Sequence, residues 1–467
     1  MAYSSITKPG DYFNTVLWAG NSDSTRNITG VGFQPDWVWV KNRSLASDHR
    51  TADAVRGPNK GLVPNGNDLE DTSTTAVKSF LSDGINIGNE QSFNRNGDNH
   101  VGWFWLAGGT APAVTYVVKV VSDSGNKYRF DDFGTSAVTL ELQEGGTYTF
   151  DQSDSSNSGH PLRFYTAADK TGGEYTTGVT TTGTPGSSGA QTVITVAASA
   201  PTLYYQCSNH AGMGGQANTN STFGSSNFAG SYQSLVSANT TAGFSVVTYS
   251  GTGSNATVGH GLGAIPETMF VKEKSGSAND WVVYHHKNTS APETDYLILN
   301  ETNATADGNT VWNDTAPTSS VFSIGTGSTT NRSGSTYVAF CFVGKKGYSK
   351  FGSYTGNGTN SNESPYAYTG FKPAFVIFKR TNGTGNWQLL DNKRTTSGGN
   401  HQNQTLYPNS NIADQNEGDL DLLSNGFKLR STGTDGNGSG DSYVYWAIAE
   451  NPFAANDSGT AVPTTAR

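Results

Sequence analysis

Three segments of the chain repeat one strand pattern: Pro35-Asp36-Trp37-Val38-Trp39-Val40-Lys41, Pro266-Glu267-Thr268-Met269-Phe270-Val271-Lys272 and Pro373-Ala374-Phe375-Val376-Ile377-Phe378-Lys379. In each, a proline stands six positions before a lysine and a mostly apolar run fills the gap. Proline suits the start of a strand because its missing N–H costs nothing there. A second signature follows each proline after 65 to 71 residues: His100-Val101-Gly102-Trp103-Phe104-Trp105, Tyr337-Val338-Ala339-Phe340-Cys341-Phe342 and Tyr443-Val444-Tyr445-Trp446-Ala447-Ile448. Between the two, Ser82-Asp83-Gly84-Ile85-Asn86-Ile87 returns as Ser424-Asn425-Gly426-Phe427-Lys428-Leu429, and more loosely as Val321-Phe322-Ser323-Ile324. Trp281 and Trp387 follow the second and third lysines at similar spacing, whereas the first copy has no tryptophan there. An ordered set of matches at matching intervals means internal repeats.

The intervals also locate an insertion. The second and third prolines are 107 residues apart (266 to 373) and the first and second 231 (35 to 266), an excess of 124. That excess is long enough for one further domain. The predicted order is repeat, insert, repeat, repeat: a first repeat over 1–110, an inserted domain over 111–220, a second repeat with its linker over 221–347, and a third repeat with a C-terminal tail over 348–467. The far edge of the insert, Asn218 to Asn227, reads as a Ser/Thr/Asn/Gly linker.

Short alternating apolar runs separated by Gly, Asn, Asp and Ser clusters predict strands almost throughout. The 57 glycines belong to the turns, and 22 Phe, 21 Tyr and 9 Trp supply apolar area that a chain with only 34% hydrophobic residues would otherwise lack. Only Thr74 to Leu81 and Asp419 to Leu423 read as short helices. The expected fold class is all-β, with tandem β-sandwich or jelly-roll-like repeats. A net charge of −9 with no basic stripe excludes nucleic acid as an expected partner. Met1 to Gly10 lacks the apolar core of a signal peptide and no apolar run approaches a membrane span, so neither a leader nor membrane insertion is expected. Two cysteines, Cys207 and Cys341, make no disulfide framework.

The repeats resemble the β-rich domain of unknown function that occurs in tandem in virion structural proteins of marine tailed bacteriophages. The likeness rests on Gly263-Ala264-Ile265-Pro266, Phe33-Gln34-Pro35 and Phe371-Lys372-Pro373 with their strands and lysines, on the Ser-x-Gly turn and on the Tyr-Val strand. It covers about two thirds of the chain. It implies a non-enzymatic particle component, a tail fibre, spike or appendage protein assembled in the host cytoplasm and carried on the virion. The implied partners are other virion proteins, further copies of the chain, with a trimer as the first expectation, and a host surface glycan or protein. A capsid decoration protein or head fibre is the alternative.

The insert holds one chemical constellation. Leu140 with Leu142, Tyr148 with Phe150, Leu162 with Phe164, Ile194 with Val196, and Leu203 with Tyr205 and Cys207 share strand faces, which predicts a second sandwich. Its last strand ends in Cys207-Ser208-Asn209-His210-Ala211-Gly212-Met213, and His160 stands 47 residues upstream after a Gly turn. Two imidazoles and a thiolate form a trigonal plane suited to copper, and a thioether supplies a weak axial contact. The spacing resembles the cupredoxins, blue-copper β-sandwiches, as does Val138 to Phe150 with its paired strands. On that resemblance His160, Cys207, His210 and Met213 are the ligands and copper the cofactor. The competing reading is a metal-free structural or adhesive sandwich with Cys207 a small buried residue.

Other motifs carry less. Asp435 to Asp441 resembles the start of a calcium loop, but position twelve is Trp446 instead of a glutamate, which favours a polar turn. His285 and His286 have no ligand-spaced partner and read as surface or half-buried. Trp37 with Trp39 and Trp103 with Trp105 could form a sugar platform, but Phe, Met, Ile or Cys at the matching positions of the other copies favours core packing. Cys341 lies in an apolar run and reads as core. No hydrolase, zinc-protease or phosphate-loop motif is present, so no enzymatic activity is expected.

Overall fold

The computed structural model describes residues 4–219, 223–396 and 399–452. The tail expected beyond residue 452 and part of the Asn218–Asn227 linker, residues 220–222, lie outside them. The fold is all-β, 42% strand and 4% helical. Each of the three repeats contributes a sheet with the strand order first, last, second, third. In the first repeat these are Phe13–Ala19, Asn99–Trp105, Trp37–Asn42 and Arg50–Asp53. The second repeat runs Phe244–Ser250, Thr336–Phe342, Thr268–Glu273 and Val282–His285 within a longer sheet, and the third Ser349–Thr355, Ser442–Pro452, Phe371–Arg380 and Gln388–Asp391. The Pro-to-Lys segments supply the strand in third place and the Tyr-Val signatures the one beside it. Their registers match: Trp39 faces Trp103, Phe270 faces Phe340 and Ile377 faces Trp446.

These strands read as unbroken apolar runs because both of their faces are buried. Side chains alternate across a strand. One set closes a sandwich with a smaller second sheet in each repeat: Val38, Val40 and Phe104 in the first, Met269, Val271 and Cys341 in the second, and Val376, Phe378 and Tyr445 in the third. The other set turns away from its own sandwich, and all three repeats bring it to one shared core. There Trp37 stacks on Trp105 at 4.2 Å and on Phe340 of the second repeat at 4.5 Å. Trp446 of the third repeat lies 5.5 Å from Trp105 and 4.5 Å from Phe342. The tryptophan pairs are thus core, each ring under 3% exposed.

The repeats also grip one another in cyclic order. The residue two past each lysine accepts a backbone hydrogen bond from the preceding repeat: Glu70 N–H donates to Lys274 O at 3.1 Å, Thr305 N–H to Thr381 O at 2.9 Å, and Asp414 N–H to Arg43 O at 3.0 Å. The third bond joins the last repeat to the first and closes a ring. Trp281 Nε1 donates to Val63 O at 2.9 Å and Trp387 Nε1 to Ile298 O at 2.8 Å. In the first repeat His49 takes this place, immediately before the third strand of its sheet. Fully buried, it accepts from Trp39 Nε1 through Nδ1 at 2.9 Å, which answers the missing tryptophan. Arg43 Nε binds Asp414 across the closing seam at 2.6 Å, and Arg394 of Asp414's own repeat holds the same carboxylate at 2.7 Å.

The lysines line the same seams. Lys272 Nζ donates to Asn67 O at 3.1 Å and Asn279 O at 2.8 Å, and Lys379 Nζ to Thr302 O at 3.3 Å. Lys41 feels the carboxylates of Asp414 and Asp48. Burial pushes the ammonium groups of Lys41, Lys272 and Lys379 down to about 8.

Three sequence expectations are corrected. Thr74–Leu81 is no helix: Val77–Leu81 is a strand paired with Gly84–Ile87, where Val77 and Ile85 can bury against the first sandwich. Asp419–Leu423 lies in strand Gln415–Leu423, because Leu420 and Leu422 alternate onto the third sandwich core. His285 is buried, not superficial; it stands where Asp53 and Asp391 stand in the other copies, and its Nε2 meets Tyr445 O of the third repeat at 3.1 Å. Burial lowers its pKa to about 3. His286 is half-buried, and the Asp435–Asp441 segment is a polar turn whose carboxylates hold Asn386 and Arg380.

Two outcomes follow from the shared core. Trp37→Ala should cost about 3–5 kcal/mol and lower the melting of all three repeats together in calorimetry, since the ring belongs to none of them alone. The lysines set a pH response. Between about pH 8, where the native groups lose their protons, and the unperturbed value near 10.4, the unfolded chain holds protons that the native state has released. Native stability therefore rises with pH in that window. Urea unfolding from pH 8 to 10 should show this rise, reduced in Lys272→Met by at most about 1.4 kcal/mol per pH unit.

Candidate metal centre

The insert forms its own sandwich. One sheet runs Asn126–Phe130, Ala113–Ser122, Thr147–Asp151, Gln191–Thr195 and Val179–Thr182; the other runs Leu140–Glu141, Gln216–Asn218, Leu203–Cys207 and Leu162–Tyr165. Ala113–Ser122 pairs in parallel with Thr147–Asp151, and Leu140–Glu141 with Gln216–Asn218. Tyr116, Tyr128, Phe130, Phe150, Phe164 and Tyr205 fill the core between the sheets. The sandwich docks on strand Ser225–Asn227, the edge of the second repeat's sheet: Tyr116 Oη donates to Ser226 O at 2.8 Å, and Phe228 enters the insert's core.

His160, Cys207 and His210 meet at one end of this sandwich. Cys207 ends its strand opposite Leu162, so the chain just before Leu162 runs beside the Cys207 loop. Ser208 N–H donates to Pro161 O at 3.0 Å and Asn209 Nδ2 to Gly159 O at 2.9 Å, stitching the two ligand-bearing segments together. Tyr128 Oη and Gln152 Nε2 each donate to His160 O at 2.9 Å and set that backbone. Cys207 Sγ lies 3.8 Å from His160 Nδ1 and 3.5 Å from His210 Nδ1. Metal bonds of about 2.3 Å to sulfur and 2.0–2.1 Å to nitrogen place S and N about 3.5 to 3.8 Å apart between tetrahedral and trigonal angles. The observed separations fall in that interval. All three donor atoms lie within 4.8 Å of one another.

The surroundings grade from dry to wet. Cys207 is fully buried, His160 half-buried and His210 exposed. Burial and the neighbouring His210 lower the pKa of His160, which favours the neutral imidazole a metal requires. Met213, the fourth expected ligand, is buried in the same core as Cys207, and its carbonyl accepts from Tyr128 N–H at 2.8 Å. The chain leaving the Cys207–Met213 loop depends on Gly214, where a Cβ would lie 1.6 Å from Tyr205 O. Lys170 Nζ holds the loop from the other side through Cys207 O at 3.1 Å and Ser208 O at 3.3 Å. Sequence patterning singled out neither Tyr128 nor Lys170, and no local motif marks Lys170, 37 residues from Cys207. A His2Cys set suits copper, and also zinc or cobalt.

A metal added at one equivalent should test the cluster. Cu(II) or Co(II) should bring in a strong thiolate charge-transfer band in the visible spectrum. Cys207→Ser should abolish it and His210→Ala weaken it, while the wild-type melting temperature rises in the metal's presence. A colourless titration would leave the cluster as packing alone.

Comparison with known proteins adds a family without a function. The model of a domain of unknown function, DUF7483, matches residues 8–129 and 216–452. No curated protein and no solved structure matches the chain. The match spans the three repeats and skips 130–215, the stretch that holds His160, Cys207, His210 and Met213. Three sandwiches round one aromatic core, with the His160, Cys207 and His210 cluster outside the matched stretches, are thus the form taken here by a member of the DUF7483 family.

Proposed function

We propose that the chain is a non-enzymatic structural protein of a tailed-phage particle, a fibre, spike or appendage component that assembles with other virion proteins and contacts a host surface. The observation that supports it best is the closed ring of three sandwiches on one core. Such a body is rigid and presents loops around its rim, as a load-bearing and surface-contacting part needs. Adhesion through polar loops suits a chain with 14% charged residues and many Ser, Thr, Asn and Gly. Mass spectrometry of purified particles should find the protein at a few to tens of copies. Hundreds per particle would move it to the capsid as a decoration protein, and its confinement to the soluble fraction of infected cells would overturn the virion reading.

The ring also bears on oligomeric state. A trimer of this chain has to use surfaces other than the three inter-repeat seams, which one chain fills by itself. Light scattering distinguishes 49.3 kDa from three times that mass.

A second reading has its own support in the His160, Cys207 and His210 cluster: the insert is a cupredoxin-like copper-binding domain. On this reading the exposed His210 edge is the path for ligand or electron exchange. The reading survives or falls with the metal titration, independently of where the protein resides.

A further inference from the structure

We infer that the edge strand Tyr366–Tyr368 of the third repeat is a binding platform for an acidic polysaccharide. Large side chains are mostly hidden in this protein, yet Tyr366 is 43% and Tyr368 49% exposed, with Ala367 between them turned into the sandwich core. The two rings therefore share the outer face of one strand, about 6.6 to 6.8 Å apart along it. The strand lies at the margin of its sheet, paired on one side only, with Gly426–Leu429. Tyr366 lies down over Gly426, where a Cβ would come within 2.7 Å of its hydroxyl and 2.9 Å of its ring. Its hydroxyl donates to Asn425 Oδ1. A ring packed over a glycine and still 43% exposed leaves apolar surface to solvent, on which the C–H face of a pyranose can stack.

Charge chooses among saccharides. Lys350 Nζ donates to Tyr368 O at 2.6 Å and sits 5.2 Å from that ring's centre, and Lys428, opposite Tyr366 in register, donates to Asn362 O at 2.7 Å. Both are satisfied by carbonyls, which hold the ammonium groups in place without cancelling their charge. Neither makes an ion pair with a carboxylate among the described residues, unlike Lys372, which binds Glu450 at 2.8 Å. Two such cations beside two exposed rings complement carboxylate or sulfate groups on a glycan locally, against the chain's overall negative charge. Size argues against a protein partner, since two tyrosines cover at most about 500 Å² and a stable interface needs about 1,000 Å² or more.

The inference rests on the attachment reading for its biological setting, and the two fail separately. Affinity electrophoresis and calorimetry of the full chain with alginate, a polyuronate, should show binding that weakens with salt, with neutral dextran bound at least tenfold less. Tyr366→Ala with Tyr368→Ala should lose at least tenfold in alginate affinity at an unchanged melting temperature. Lys350→Gln with Lys428→Gln should lose the preference for alginate over dextran, and Tyr366→Phe, which keeps the ring, should bind as the parent does. No binding to alginate, equal binding to dextran, or a double tyrosine variant that binds as the parent does would each overturn the inference. Alginate binding by a protein absent from particles would overturn the virion reading and leave this site standing.

Discussion

The molecule depends on stacking between rings that belong to different repeats. A β-sandwich ordinarily buries one face of each sheet and leaves the other to water. Here the larger sheet of every repeat is apolar on both faces, and an isolated repeat would expose Trp37, Trp39, Trp103 and Trp105, or Phe270, Phe340 and Phe342, or Phe375 and Trp446. None can satisfy its second face alone. Burial of those faces against each other is therefore the term that holds the ring together, and the seam hydrogen bonds settle its register. Aromatic pairs add direction to that burial, because offset and edge-on contacts favour particular orientations.

The seams are polar where the core is not, and their indole and ammonium groups named above meet defined partners. Indole N–H groups and lysine ammonium groups reach carbonyl oxygens of the neighbouring loop instead of side-chain carboxylates. Carbonyls are fixed by the backbone, so these contacts report loop position with little tolerance. The closing seam adds side-chain ions, Arg43 and Arg394 on Asp414, where no peptide link joins the neighbouring repeats.

Much of this was legible from spacing. The Pro-to-Lys runs showed three strands, the 124-residue excess showed an insert, and the Cys207 loop with His160 marked a cluster that the fold does bring together. What spacing could not convey was that the three repeats share a core: an unbroken apolar strand looks the same whether its second face meets its own domain or a neighbour's. His49 was hidden for a related reason: it fills with a buried ring the place of the other copies' tryptophans, but its hydrogen bond comes from Trp39 of its own repeat instead of reaching a neighbour's carbonyl. The two false helices arose where alternating positions also fit a helical period over five to eight residues, too short a window for the two patterns to separate. Lys170 and Tyr128 hold the backbone around His160 and Cys207 across long sequence separations, through contacts that exist only once the sandwich has closed.

Closing three related units within one polypeptide has a consequence for how such a protein can diversify. In a ring of three identical chains every change is made three times, and a bulky addition must be tolerated at every seam at once. In a ring made from one chain the three positions are genetically independent. The sandwich that carries His160, Cys207 and His210 exploits that freedom: it is spliced between the first and second repeats and nowhere else, giving an otherwise three-way body a single distinguished side.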